Sequence, residues 1–254
     1  MSTAIDEIAV RKGHSYMTIV VDLDRGTVLY AAEGNDHESL QPFFRRLRRA
    51  QAKLEAIAVD MGSGYRKAID AYAPAGVVVH DRYHVVAAMN EVVDHVRREE
   101  QNRLDGQGKN VVKGSRYLLL RGSERLAEMP EKKTRLDELL ALNEPLQKVY
   151  LLKEDLRLFW SQGTKEDAQQ FVDNWLREAD ALGNRHVSRF ARTIRARLPA
   201  ILAWYDHPIS TGPLEGLNNK IKVLKRVAYG YRDIEFFKLR VMFLHDTEFR
   251  LAGV

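Results

Sequence analysis

Residues 4–32 read AIDEIAVRKGHSYMTIVVDLDRGTVLYAA. Three apolar runs stand in this stretch: Ala4–Val10, Tyr16–Asp22 and Thr27–Ala32. The second is rich in β-branched residues; a polar loop separates it from the first, and Asp24-Arg25-Gly26 separates it from the third. Short β-favouring runs bounded by turn residues are strand signals, and short connections join neighbours antiparallel. The stretch is therefore read as a three-stranded meander. Downstream, Leu40, Phe43, Phe44 and Leu47 recur at helical spacing, with arginines at 45, 46, 48 and 49 on the other face. A fourth strand, Ala56–Val59, runs into Asp60; a helix over Gly62–Tyr72 leads to a fifth strand at Gly76–Val79. The order β-β-β-α-β-α-β predicts an α/β fold with a mixed five-stranded sheet.

From Val85 to Tyr205 the strand signal is gone. Val85, Met89, Val92, Val93 and Val96 mark an amphipathic helix, and helical patterns follow at Leu136–Leu142, Leu146–Trp160, Ala168–Leu182 and Val187–Tyr205. Thr164 suits the N-cap of the Ala168–Leu182 helix and Gly183 the residue beyond its end. Leu104–Gly114, polar and glycine-containing, reads as a loop. The expected division is 1–90 and 207–254 as one core, with 91–206 as a helical insertion. Tyr150, Leu151, Phe159, Trp160, Phe171, Trp175 and Trp204 are expected to be the insertion's packing core, with a dimer surface or a ligand-facing wedge as the lesser reading.

At about 150 residues per domain, 254 residues allow one large domain or two small ones. The chain has 45% hydrophobic and 30% charged residues, unlike a disordered segment. Cysteine is absent, which removes disulfide scaffolds, iron–sulfur clusters, thiolate zinc sites and cysteine nucleophiles. No run approaches about 18 apolar residues and no export signal is visible, so a cytoplasmic protein without membrane attachment is expected. The net charge of +5 is modest, but Glu215–Arg232 holds five basic residues against one acidic.

Three acidic residues stand at informative places. Asp6 interrupts the first strand, where a buried carboxylate requires pairing or a metal; the plainer reading sets it facing solvent on an edge strand. Asp60 follows a strand's C-terminal end, where open α/β sheets collect active sites, and Gly62 and Gly64 leave room for close approach. Its plainer role is capping the next helix. Glu215 lies in Thr211-Gly212-Pro213-Leu214-Glu215, a helix-start signature, where it could merely complement the helix dipole. Asn218, Asn219 and Lys222 follow at spacings that share its face. Together, two strand-borne aspartates and a helix-borne glutamate make an oxygen-only set suited to Mg²⁺ or Mn²⁺.

Ile5-Asp6-Glu7, Val59-Asp60-Met61, Asp81-Arg82-Tyr83-His84 and Thr211-Gly212-Pro213-Leu214-Glu215-Gly216-Leu217-Asn218 resemble the DDE transposases of bacterial insertion sequences, of the ISL3 type. The tail from Lys220 to Arg226 and on through Gly230-Tyr231-Arg232 extends the likeness, which runs over nearly the whole chain. The resemblance implies an RNase H-like core with a large all-helical insertion before the last catalytic helix. It also implies that Asp6, Asp60 and Glu215 are the catalytic, metal-binding triad. Asp81 and His84 match an auxiliary motif, and Asn218 and Asn219 belong near the site. The rival for His80 and His84 is a zinc pair at i, i+4 spacing, without a third ligand to complete it. Relatives usually carry a cysteine zinc module and helix-turn-helix domains ahead of the core. With Asp6 so early and no cysteine, the chain is expected to be a catalytic fragment, and recognition of transposon ends is in doubt for it.

The activity so implied is cleavage of DNA at transposon ends and transfer to target DNA, using two Mg²⁺ ions about 3.5–4 Å apart, with Mn²⁺ as substitute. Lys220, Lys222, Lys225 and Arg226 are expected to contact DNA phosphates, or else to be a solvated helix face. Tyr229 and Tyr231 are expected to pack on Phe236 and Phe237, with stacking on a base as the alternative. A nuclease that does not join strands and a non-catalytic, transposase-derived DNA-binding protein remain rival readings, and homo-oligomerisation stays open.

Overall fold

A computed structural model describes residues 1–11, 15–61, 64–73 and 75–244. It divides into two units, Met1–Asp81 with the chain from Asp206 onward, and Arg82–Tyr205. In the first, β1 (Ser2–Arg11), β2 (Ser15–Asp22) and β3 (Thr27–Glu33) form the meander, followed by α1 (His37–Arg49), β4 (Ala56–Val59), α2 (Arg66–Tyr72) and β5 (Val77–His80). The sheet order is β3-β2-β1-β4-β5. β1 pairs antiparallel with β2 and β2 with β3, whereas β1–β4 and β4–β5 are parallel. This mixed sheet is the RNase H-like arrangement. It leaves β1 in the centre, so the edge-strand reading of Asp6 does not hold.

The second unit is helical. It runs through α3 (Arg82–Arg103), α4 (Gly106–Val112), α5 (Arg116–Leu120), α6 (Ser123–Ala127), α7 (Pro130–Leu142), α8 (Glu144–Leu158), α9 (Lys165–Ala181) and α10 (Arg185–Leu202). Thr164 accepts from Asp167 N–H as the N-cap of α9, and Gly183 takes a left-handed φ of 66° beyond its end. The segment read as a loop folds as α4, because Val112 is buried at its end and Ser115 Oγ donates to the Val112 carbonyl. The expected break at residue 90 falls inside α3, which is continuous from Arg82. Of the aromatic and aliphatic residues assigned to this unit's core, Leu151 is exposed, while Tyr150, Phe159, Trp160 and Trp175 are buried. Trp175 Nε1 finds the Leu152 carbonyl at 2.8 Å, satisfying its one donor inside the core.

After the helical block come α11 (Gly212–Val227) and α12 (Ile234–Met242), which belong to the first unit. The sequence reading contained no counterpart of α12; it starts at Asp233, whose carboxylate accepts from Phe236 N–H. Leu214, Ile221 and Leu224 of α11 and Phe237 and Val241 of α12 are buried with Ala4, Ile8 and Ala58 of the sheet in one apolar cluster. Each large side chain buried there contributes about 1.5–3 kcal/mol, which is what holds these late helices on strands formed by the first residues. No described helix is long and apolar enough to cross a membrane.

Candidate active site

The strand registers locate the aspartates. β1 and β4 pair Ala4 with Ala58, and β4 and β5 pair Val59 with His80. Continued past the last paired residues, these registers set Asp6 beside Asp60 and Asp60 beside Asp81, on neighbouring strands about 4.8 Å apart. Side chains alternate along a strand, so Asp6 and Asp60 share the face of Ala4 and Ala58, which is the face covered by α11. Glu7 points to the opposite face. There, burial pushes the Tyr65 hydroxyl far above its usual range, with the Glu7 and Asp6 carboxylates adding to the shift. Asp60 does not occupy the cap of the following helix, because the N-cap of α2 is Tyr65. Gly62, expected to leave room beside it, lies outside the described residues; Gly64 is described, and a Cβ there would come within 3.3 Å of the Asn35 carbonyl.

Three contacts pin α11 along these strands. At its start, Asp81 is buried and accepts from both the backbone N–H and the hydroxyl of Thr211, the latter at 2.8 Å. Thr211 thus stands at the N-cap as expected, but its side chain serves Asp81 rather than the helix. About two turns on, Asn218 Nδ2 donates to Asp6 Oδ2 at 2.9 Å, while Glu7 N–H donates to Asp6 Oδ1 at 2.8 Å. Farther along, Lys225 Nζ donates to the Ala9 carbonyl at 2.7 Å, and burial pushes its ammonium pKa down. From Asn218 to Lys225 the helix advances about 10.5 Å, and from Asp6 to Ala9 the strand advances about 10 Å. The helix therefore tracks β1 side by side, and Lys225 is committed to it.

Glu215 is exposed in the first turn of α11, one turn before Asn218. Asn219, Lys220, Lys222 and Arg226 are exposed on the same helix. Among the described residues, no three His, Cys, Asp or Glu side chains are gathered closely enough to hold a metal ion. The donor chemistry nevertheless fits a hard divalent cation. It consists of oxygens only, and Asn218 Oδ1, buried next to the Asp6 contact, has no hydrogen-bond partner among the described residues. A buried acceptor left unpaired beside two strand carboxylates is a position that a cation's ligand shell would satisfy.

His84 lies in the first turn of α3, within the second unit, half-buried and edge-on to Tyr83 at 5.6 Å. His80 is buried in β5 with Nδ1 3.3 Å from the Val59 carbonyl. One histidine is on a strand and the other on a helix, so they are not the one-helix pair that the zinc reading requires. A cavity of about 600 Å³ lies at the opposite ends of β4 and β5, lined by Phe44, Leu54, Glu55, Tyr72 and Val77, and contains none of the candidate residues.

Sequence reasoning missed two anchors of this site, the Asp81–Thr211 clamp and the Lys225–Ala9 bond. Thr211 carried a signal, but the N-cap role explained it fully. Lys225 looked like one more member of a basic run.

The family model for DDE transposases of the ISL3 type, described as a transposase, matches residues 3–241. Over 242 residues, 94% of this chain and 59% of the relative, the sequence is 40% identical to the transposase of insertion sequence element IS1001 from Bordetella parapertussis. It is 32% identical over 254 residues, 90% of this chain and 56% of the relative, to the transposase of insertion sequence element IS1557 from two strains of Mycobacterium tuberculosis. The chain thus spans a little over half the length of these curated relatives.

Proposed function

The chain belongs to the ISL3 family of DDE transposases, and from that premise we propose that it is the catalytic core of an enzyme that cleaves DNA at transposon ends and joins the freed end to target DNA. The observation that carries this reading is the convergence of β1, β4 and α11. The sheet register sets Asp6 beside Asp60 on the face that α11 covers, and α11 bears Glu215 one turn from the Asn218 that grips Asp6.

In this reading Asp6, Asp60 and Glu215 would hold divalent metal, and Mg²⁺ or Mn²⁺ there would supply activation of the attacking oxygen and stabilisation of the leaving 3′ oxygen in an in-line phosphoryl displacement. The chain's own residues orient that chemistry. Glu7 N–H and Asn218 Nδ2 each donate to one oxygen of Asp6, fixing its carboxylate plane. Asp81 fixes the first turn of α11 through Thr211, and with it the start of the segment that carries Glu215. Lys220, Lys222 and Arg226, exposed along α11, neutralise backbone phosphates and align the strand. Joining needs no covalent protein intermediate, because the freed 3′-OH attacks the target phosphodiester directly.

The test is a gel assay on end-bearing duplexes, uncut and pre-nicked with a free 3′-OH, in Mg²⁺ or Mn²⁺. Wild type is expected to cut the first and join the second to plasmid. Asp60→Asn is expected to lose both by a factor of 10³ or more, on the order of what removing a catalytic group entails, while melting at the same temperature. Equal processing by wild type and Asp60→Asn sinks the assignment, and cutting without joining reassigns the chain as a nuclease.

A further inference from the structure

We infer that Tyr229 is a stacking platform for an unstacked nucleobase, presented at the C-terminal end of α11; this rests on the DNA reading above.

The observation is a side chain whose position the fold does not explain. Tyr229 is fully exposed, at 101%, so it contributes no burial. It also has a φ of 52°, a left-handed conformation that glycine adopts freely and a tyrosine only against steric resistance. The hydrogen bonds say why the backbone is there: Tyr229 N–H donates to the Arg226 carbonyl at 3.1 Å and Gly230 N–H to the Lys225 carbonyl at 2.9 Å. This is a Schellman helix end, in which glycine is favoured at the position that Tyr229 occupies. A tyrosine is thus placed where the helix end favours glycine, with no packing in return. Strain that folding does not use concentrates at functional positions.

Its neighbour sharpens the contrast. Tyr231 follows the expected packing: half-buried, it stacks on Phe237 with ring centroids 4.6 Å apart and planes 30° from parallel. Arg11 at the end of β1 donates to the Arg232 carbonyl at 3.0 Å and to the Tyr231 carbonyl at 3.4 Å. With Lys225 on the Ala9 carbonyl, the turn is tied to β1 on both sides of Tyr229. The ring is held outward on an anchored turn, which lowers the ordering entropy lost when a ligand stacks on it.

Charge selects the occupant. Residues 220–232 hold five basic side chains and no acidic one, and Lys220, Lys222, Arg226 and Arg232 among them are exposed. An exposed aromatic ring amid cations that match a phosphate backbone is the combination used to hold single-stranded nucleic acid, with the base on the ring and the phosphates on the cations. The base offered to Tyr229 must be free of its duplex stack, as in a single strand or at a distorted transposon end.

The experiment uses the full chain with two probes: a short single-stranded oligonucleotide carrying one 2-aminopurine, and the fully paired duplex of the same sequence. Wild type is expected to bind the single strand and quench the 2-aminopurine. Tyr229→Gly is expected to bind the single strand roughly tenfold more weakly and to lose the quenching. Its duplex affinity should change little, and it should melt no lower than wild type because glycine relieves the left-handed backbone. Tyr229→Phe should keep both binding and quenching. If Tyr229→Gly binds and quenches like wild type while Lys222→Ala weakens binding, the DNA reading stands and the platform falls. Should wild type bind neither probe, the DNA reading itself fails. A Tyr229→Gly variant that melts clearly lower, or whose oligomeric state differs from that of wild type at unchanged DNA affinity, shows a structural or self-association role and overturns the inference.

Discussion

Asn218 donates from one half of its amide to Asp6 and leaves the other half, Oδ1, buried without a partner among the described residues. An unpaired buried acceptor is destabilising on its own account, and the ligand shell of a bound cation would satisfy it. Asn218→Ala removes the grip on Asp6 and the orphan together. The expected stability change is a loss of about 1 kcal/mol, or 2–4 °C in Tm for a unit of this size. Mn²⁺ affinity should fall roughly 10–100-fold, the range for partners that orient a ligand. Thermal melts with and without Mn²⁺ separate the effects: loss of Tm without loss of the metal-induced increment would show Asn218 to be structural only. At this scale the sequence was informative where a residue type is costly to place, as with an aspartate inside an apolar strand. It was silent on which partner each residue takes, because Asp81 and Thr211 lie 130 positions apart.

For whole elements the decisive fact is that α11 is fastened to strands formed far earlier in the chain. Its apolar face buries Leu214, Ile221 and Leu224 against the sheet, but apolar contact alone sets neither a helix's rotation nor its axial position. Polar clamps do, because a displaced carboxylate or amide is left without its partner. Asp81→Ala deletes the clamp at the first turn and strands the Thr211 donors, at an expected 2–3 kcal/mol. Hydrogen exchange should then accelerate at Leu214–Asn218 and leave α8 and α9 protected as before. Uniform acceleration in both units would refute a local clamp. The five strands and the long helices were legible because their apolar patterns are bounded by turn residues or span several turns. α4, α5 and α6 were not, since five to seven residues are too few to establish a helical period against glycine and polar composition. Lys153, in the middle of α8, was equally hidden. It is 1% exposed and serves the Leu119 and Arg121 carbonyls, a role that no local pattern announces.

Across the whole molecule, the second unit carries its own buried charge. Asp94 of α3, 5% exposed, meets Arg97 at 2.8 Å, Arg98 at 2.7 Å and Arg116 at 3.5 Å. Burial pushes its carboxyl pKa up, but the three guanidiniums pull it down further, leaving it below 3.8. A folded-state pKa below the unfolded value contributes stability that is complete above about 3.8 and is lost as pH falls through and below it. Asp94→Asn should therefore lower the neutral-pH stability by about 2 kcal/mol, and the difference from wild type should shrink as the pH drops beneath 4. Calorimetry across that range checks the sign, and a difference that grows with acid would contradict it. The split organisation has a similar two-part origin. The α/β order, the helical character of the middle and the acidic residues at strand ends were all fixed locally, by side-chain periodicity and by the intrinsic turn and cap preferences of a few residues. Sheet order, the central place of β1, the clamps on α11 and the exposure of Tyr229 arose only from folding. Each depends on which distant segments come together, and burial and hydrogen bonding across that distance leave no periodic trace in the chain.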